Sequence, residues 1–113
     1  APDRVSWSPN NRSQLIRIPA ADALHQRIEL RSPDASANPY LAFALVIRAG
    51  LDGILHKMTP PAPCDLDLLQ CPEEVRRQYP ALPKDLTEAR RLLSESEFIR
   101  EALPAHLFSA YTA

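Results

Sequence analysis

Arg27, Glu29 and Arg31 alternate with Ile28 and Leu30 in the run Arg-Ile-Glu-Leu-Arg-Ser-Pro-Asp at residues 27–34. In a strand, period-two geometry puts the three charges on one face and the two apolar residues on the other. A sheet face reading plus, minus, plus suits a site that holds a metal ion beside an anionic substrate. The carboxylate is the oxygen donor a hard divalent cation takes. Each guanidinium is a permanently charged fork that matches phosphate or carboxylate. Two more arginines stand nearby in sequence: Arg17 between Ile16 and Ile18, and Arg12 within Asn11-Arg12-Ser13. By residue type alone each has a plain alternative. Arg12 can be a solvated loop charge, and Arg17 the polar face of an ordinary strand. The Arg27–Glu29–Arg31 set can be cross-strand ion pairing, which adds little at a surface.

Three short strands must position these residues. Val5–Trp7 precedes a Ser-Pro-Asn-Asn loop, Leu15–Ile18 is stopped by Pro19, and Gln26–Arg31 is the third. The link from Pro19 to His25 is short enough for an antiparallel return between the second and third. Asn38-Pro39 then opens a helix, with Asn as N-cap and Pro at the first helical position, running to about Ile54. Tyr40 to Ile47 is apolar throughout, which predicts a buried helix. So short a chain has little to surround it, which points to a piece of something larger. Gly50 and Gly53 are placed to end this helix or to allow a close packing contact.

Residues 59–83 carry Pro60, Pro61, Pro63, Pro72, Pro80 and Pro83 and read as an extended connector with one helical turn at Glu73–Gln78. Asp85 and Glu88 have capping-box spacing. Leu86, Ala89, Leu92 and Leu93 follow at helical spacing. Ser94 with Glu97 opens a last segment, broken near Pro104. The fold class is therefore α+β: about three antiparallel strands (1–36), a buried helix (37–57), a Pro-rich connector (58–84) and a helical end (85–113).

The global numbers set limits. At 113 residues the chain makes one small domain, and 45% hydrophobic content supports a core. A net charge of −1 argues against a nucleic-acid partner. The longest apolar run, Tyr40 to Ile47, falls well short of the ~20 residues that span a bilayer, so no membrane partner is expected. Cys64 and Cys71 have no zinc-pair spacing and read as plain thiols, in keeping with a cytoplasmic location. His25, His56 and His106 have no partner at ligand spacing and read as surface or packing residues.

The segments Asn11-Arg12-Ser13, Ile16-Arg17-Ile18-Pro19, Arg27 to Arg31, Pro33-Asp34, Ala37 to Leu41 and Ala49 to Ile54, in that order and spacing, resemble the C-terminal part of glutamine synthetase of the bacterial type I. A weaker likeness continues to Phe108. The resemblance implies an ATP-dependent ligase that makes glutamine from glutamate and ammonia through γ-glutamyl phosphate. It implies an active site in a barrel of antiparallel strands, shared between neighbours in a ring-shaped homo-oligomer, a dodecamer, with Mg²⁺ or Mn²⁺ at the phosphates. By the same resemblance Glu29 is a metal ligand, and Arg31 sits at the substrate end near the transferred phosphate and glutamate. Arg12 contacts ATP phosphates and stabilises the transferring group. Arg17 binds nucleotide phosphate, and Arg27 lies close to the nucleotide.

Departures accompany the likeness. The family's flap glutamate, an upstream substrate arginine, the other metal carboxylates, the glutamate-binding loop and the N-terminal domain all fall before Ala1. The place of a regulatory tyrosine, modified by AMP in some type I enzymes, is taken by Leu68. The C-terminal helix after Tyr111 is shorter than the family's. One glutamate cannot build a two-metal site, and three strands cannot close a barrel. The expectation is a catalytic-domain fragment that is inactive alone and self-associates through open sheet edges. A ligase joining glutamate to another amine, such as a polyamine, fits the same motifs, as does a non-catalytic module that binds a synthetase.

Overall fold

The computed structural model describes all residues 1–113. Its elements run β1 (Trp7–Ser8), β2 (Ile16–Arg17), β3 (Glu29–Leu30), α1 (Pro39–Leu55), α2 (Glu73–Arg76), α3 (Leu86–Glu95), α4 (Glu97–Ala102) and α5 (Ala105–Thr112). The class is α+β. Two compact units divide the chain: residues 1–36 with 60–82, and residues 37–59 with 83–113.

The first unit holds a three-stranded sheet in the order β1-β2-β3. β2 and β3 pair antiparallel, as the short link predicts, with Ile16 opposite Leu30 and Arg17 opposite Glu29. β1 and β2, however, pair parallel, with Trp7 beside Ile16 and Ser8 beside Arg17, so the sheet is mixed and open. A parallel pair ordinarily needs a long crossover. Here each strand is two residues long, and the chain has to travel back only about 7 Å, which a short folded loop achieves. That loop folds on its own side chains: Ser8 Oγ accepts the Asn11 N–H at 3.1 Å, and Asn11 Oδ1 accepts the Ser13 N–H at 2.9 Å. The third strand is also shorter than the expected Gln26–Arg31, because only Glu29 and Leu30 meet β2.

Residues 60–82 belong to the same unit and complete it. The Cys64 N–H donates to the Trp7 carbonyl at 2.8 Å, covering part of the outer edge of β1. Trp7 Nε1 donates to the Pro61 carbonyl at 2.6 Å. Arg4 and Ala81 form an antiparallel bridge, flanked by bonds from Val5 N–H to Pro80 and from Leu82 N–H to Asp3. The core is small: Leu15, Cys64 and Leu68 are its buried apolar residues, joined by buried Ser6, Ser8, Ser13 and Gln14. The helical turn expected from Glu73 is α2, which ends at Arg76.

The second unit is helical. Asn38 caps α1, its Oδ1 accepting the N–H groups of Tyr40 at 3.0 Å and Leu41 at 3.4 Å. Gly50 and Gly53 neither end this helix nor pack closely, since a Cβ at either would meet nothing within 4 Å. The end is built instead by Lys57, whose φ of 49° is left-handed. The Lys57 N–H bonds Ile54 O at 3.2 Å and the Met58 N–H bonds Gly53 O at 2.9 Å, the paired pattern of a Schellman cap. The expected burial of α1 is not found: no residue of α1 is buried, and Tyr40 is 84% and Phe43 68% exposed. Within the unit the main helix partner of α1 is α4, so a helix apolar on most sides keeps much of that surface open.

Asp85 caps α3, accepting the Glu88 N–H at 2.8 Å, while Glu88 reaches back one residue further than a capping box requires, to the Lys84 N–H at 3.0 Å. The next cap is Ser96 and not Ser94. Ser96 Oγ accepts the Ile99 N–H at 3.2 Å, whereas Ser94 lies inside α3 and donates to the Arg91 carbonyl at 2.7 Å. Pro104 breaks α4 from α5, and buried Leu103 and Phe108 anchor this end, with the Arg100 guanidinium 4.5 Å from the Phe108 ring centre.

Candidate functional site

Register decides which side chains share a face. Trp7, Ile16 and Leu30 are neighbours across the sheet, as are Ser8, Arg17 and Glu29. Of the first set, Trp7 and Ile16 line an apolar cleft with Val5, Ile18 and Pro61. The second set carries the charge. Arg17 Nη1 donates to both oxygens of Glu29, at 3.1 Å to Oε1 and 2.9 Å to Oε2. Arg27 Nη2 lies 3.6 Å from Glu29 Oε1. Arg31 is exposed, with its backbone N–H bonded to Leu15 O at 2.9 Å. The Arg17 hydrogen bond holds the Glu29 carboxyl below its ordinary 4.5; partial burial opposes this, and the charges of Arg17, Arg27 and Arg31 reinforce it.

Sequence-predicted residues are therefore gathered unequally. Arg17, Arg27 and Glu29 meet directly, and Arg31 lies near enough for its charge to be felt at Glu29. Arg12 is exposed on the β1–β2 loop and makes no ion pair with the others. Its loop is nonetheless fixed. The Leu66 carbonyl accepts from Asn11 Nδ2 at 2.9 Å and Gln14 Nε2 at 2.7 Å, while Ser13 Oγ accepts the Leu68 N–H at 3.2 Å. The support that Gln14, Leu66 and Leu68 give this loop is not legible in the sequence. Nothing local marks them, because the partners are more than fifty residues away in sequence.

The donor set bears on what can bind. No three His, Cys, Asp or Glu side chains converge anywhere in the chain. Glu29 is a single hard oxygen donor, so it fits one ligand position of a divalent-cation site and cannot complete one. For an anion the fit is better: Arg17 and Arg27 lie against the one carboxylate, and the Arg31 charge is felt there. Elsewhere the histidines do find carboxylates: His25 Nδ1 lies 2.6 Å from Asp22 and His56 Nδ1 2.9 Å from Asp52, both pairs within one helical turn or loop at the surface. Both cysteines are free, Cys64 being buried.

A family model described as the glutamine synthetase catalytic domain matches residues 1–113. This chain belongs to the glutamine synthetase catalytic-domain family. Among its relatives, the glutamine synthetase of Methanosarcina mazei is 49% identical over 98% of this chain and 25% of its own length. That of Thermotoga maritima is 45% identical over 98% of this chain and 26% of its own. A solved structure described as a GmaS/ADP complex matches with a TM-score of 0.84 and 36% identity, covering 99% of this chain and 24% of that one. The chain thus spans about a quarter of the length of these glutamine synthetases. Leu68 is 1% exposed. No helix is long and apolar enough to cross a membrane.

Proposed function

We infer that this sequence is the C-terminal part of a glutamine synthetase catalytic domain, contributing to ATP-dependent joining of glutamate and ammonia through γ-glutamyl phosphate. The observation that carries this reading is the Arg17–Glu29–Arg27 cluster, with Arg31 beside it, in a chain matched throughout by the family model. Phosphoryl transfer asks the protein chiefly for positioning and charge neutralisation, and this face supplies both. Arg17 and Arg27 take nucleotide phosphate; that a similar solved structure is described as an ADP complex supports nucleotide binding by the whole enzyme. Arg31 clamps the glutamate end and the phosphate in transfer. Arg12, on its fixed loop, stabilises the charge that develops on the transferring group. Glu29 provides one ligand to Mg²⁺ or Mn²⁺, and the chemistry such an ion supplies when bound is neutralisation of phosphate charge.

On this reading Glu29 alone cannot complete the cation site, and the further ligands and the amine pocket belong to the rest of the enzyme. The chain alone is therefore inactive, and the working form is a ring of subunits, a dodecamer, in the cytoplasm. The test assays the polypeptide that carries this sequence in full, and this chain by itself, for ATP-dependent amide formation from glutamate. Ammonia and a polyamine are compared as acceptors. Activity of the full polypeptide with ammonia, lost on Arg31→Gln, is the expected result. Turnover with the polyamine alone assigns the related γ-glutamyl-amine ligase, and turnover by the 113-residue chain overturns the claim that it is incomplete.

A further inference from the structure

Gln14 is 0% exposed and stands two residues after Arg12. A buried amide is costly unless its polar groups are paired. Only half of this one is. Its Nε2 donates to the Leu66 carbonyl at 2.7 Å and to Ser13 Oγ at 3.2 Å, while its Oε1 is buried without a partner. Turning the amide over would set Oε1 against the Leu66 carbonyl, acceptor against acceptor. The bond to Leu66 therefore fixes the orientation, even though Oε1 stays unpaired. Packing does not explain such a residue, because an apolar side chain of the same length would fill the space and leave no acceptor unpaired.

The Leu66 carbonyl is where the loop converges. It also accepts from Asn11 Nδ2 at 2.9 Å and Ser13 Oγ at 3.3 Å, so the Gln14 bond is the shortest of the three. Asn11 and Ser13 stand on either side of Arg12. The Arg12 side chain is exposed, so its placing comes from the backbone that carries it. Asn11 is only partly buried, and water can stand in for its bond; enclosed Gln14 has no such substitute. We propose that Gln14 is a positioning residue for Arg12: by holding the Leu66 carbonyl against Asn11 and Ser13, it fixes the loop that presents the Arg12 guanidinium to the group in transfer. This rests on the reading of Arg12 as the residue that stabilises that group.

The informative substitution is Gln14→Met, which keeps the volume and removes the donor and the unpaired acceptor together. In the 113-residue chain, amide hydrogen exchange at Ser13 and Leu68 is expected to quicken about tenfold, as one hydrogen bond is lost from the local opening equilibrium. The sheet amides of Ile16 and Arg31 are expected to keep their rates. Equal quickening of all four amides, or of none, overturns the proposal. A measurement on the unaltered chain decides the matter even where Gln14→Met unfolds. There the Gln14 side-chain amide is expected to exchange far more slowly than that of exposed Gln26, and equal rates overturn the proposal. In the polypeptide that carries this sequence in full, Gln14→Met is expected to lower kcat about tenfold while KM for glutamate and ATP stays within about twofold. Added to Arg12→Gln, it is expected to lower kcat no further, because it acts through Arg12. The same further loss in Arg12→Gln marks a merely structural role and overturns the proposal. An unchanged kcat in Arg12→Gln itself overturns the catalytic reading of Arg12 and the consequence for transfer, while the exchange rates still decide whether Gln14 fixes the loop.

Discussion

Glu29 shows how much a single carboxylate can be governed by its neighbours. Its pKa lies below 4.5 because ionised Glu29 accepts from Arg17 and feels two further guanidinium charges. A depressed carboxyl pKa stabilises the fold above the unfolded-state value, and that contribution is lost as pH falls through the folded value. The window for losing the Arg17–Glu29 pair therefore lies below about pH 4.5. Carbon-13 NMR titration of the Glu29 carboxyl should give a midpoint under 4.5 that moves upward in Arg17→Gln, because the largest lowering cause is removed. A midpoint unmoved by the substitution contradicts the assigned cause. Leu68 tests packing at the same scale. It is 1% exposed in a core with few apolar members, so Leu68→Ala should cost about 2–4 kcal/mol in denaturant unfolding. It should also loosen the Arg12 loop, since the Leu68 N–H bonds to Ser13.

Helix α1 is an element whose ends are better specified than its middle. Asn38 satisfies two N–H groups at its start, and Asn38→Ala should cost about 1 kcal/mol. At the other end Lys57 occupies a left-handed conformation that a side chain disfavours. Lys57→Gly removes that strain while keeping both closing hydrogen bonds, so it should stabilise the helix end by about 0.5–1 kcal/mol. Both values are read from the unfolding midpoint together with amide exchange at Met58. A destabilised Lys57→Gly chain removes the strain argument. The β1–β2 pair makes a comparable point for strands: its parallel direction follows from a loop folded by Ser8 and Asn11, not from strand propensity.

Across the molecule, apolar surface is left uncovered. Tyr40, Phe43, Ile47, Ile54 and Leu55 all stay largely exposed on α1, and the mixed sheet is not closed. Exposed apolar surface on this scale drives association. Sedimentation velocity of the isolated chain should show mass rising with concentration between micromolar and millimolar. Replacing Tyr40 and Phe43 with Ser should shift the chain toward monomer with little loss of helix content, because neither side chain is buried within it. A strict monomer throughout that range removes the expectation of self-association.

Local chemistry made parts of this protein legible from its residues alone. Asn38-Pro39 marks a helix start because an Asx cap and a proline-fixed φ act within a few residues, and α1 begins there. The Asp85 cap and the break at Pro104 have the same local origin. The alternation of Arg27, Glu29 and Arg31 likewise placed charge together, and the family likeness extends over the whole chain. Tertiary structure alone decided the rest. The partner of Glu29 is Arg17, twelve residues away across β2–β3, because strand register and not sequence neighbourhood chooses it. The Pro-rich stretch after Pro60 supplies Cys64 and Leu68 to the core and the Leu66 carbonyl that fixes the Arg12 loop. The apolar run of α1 stays exposed for a related reason. Hydrophobic pattern states that a surface needs covering, but only the packed neighbours determine whether it is covered.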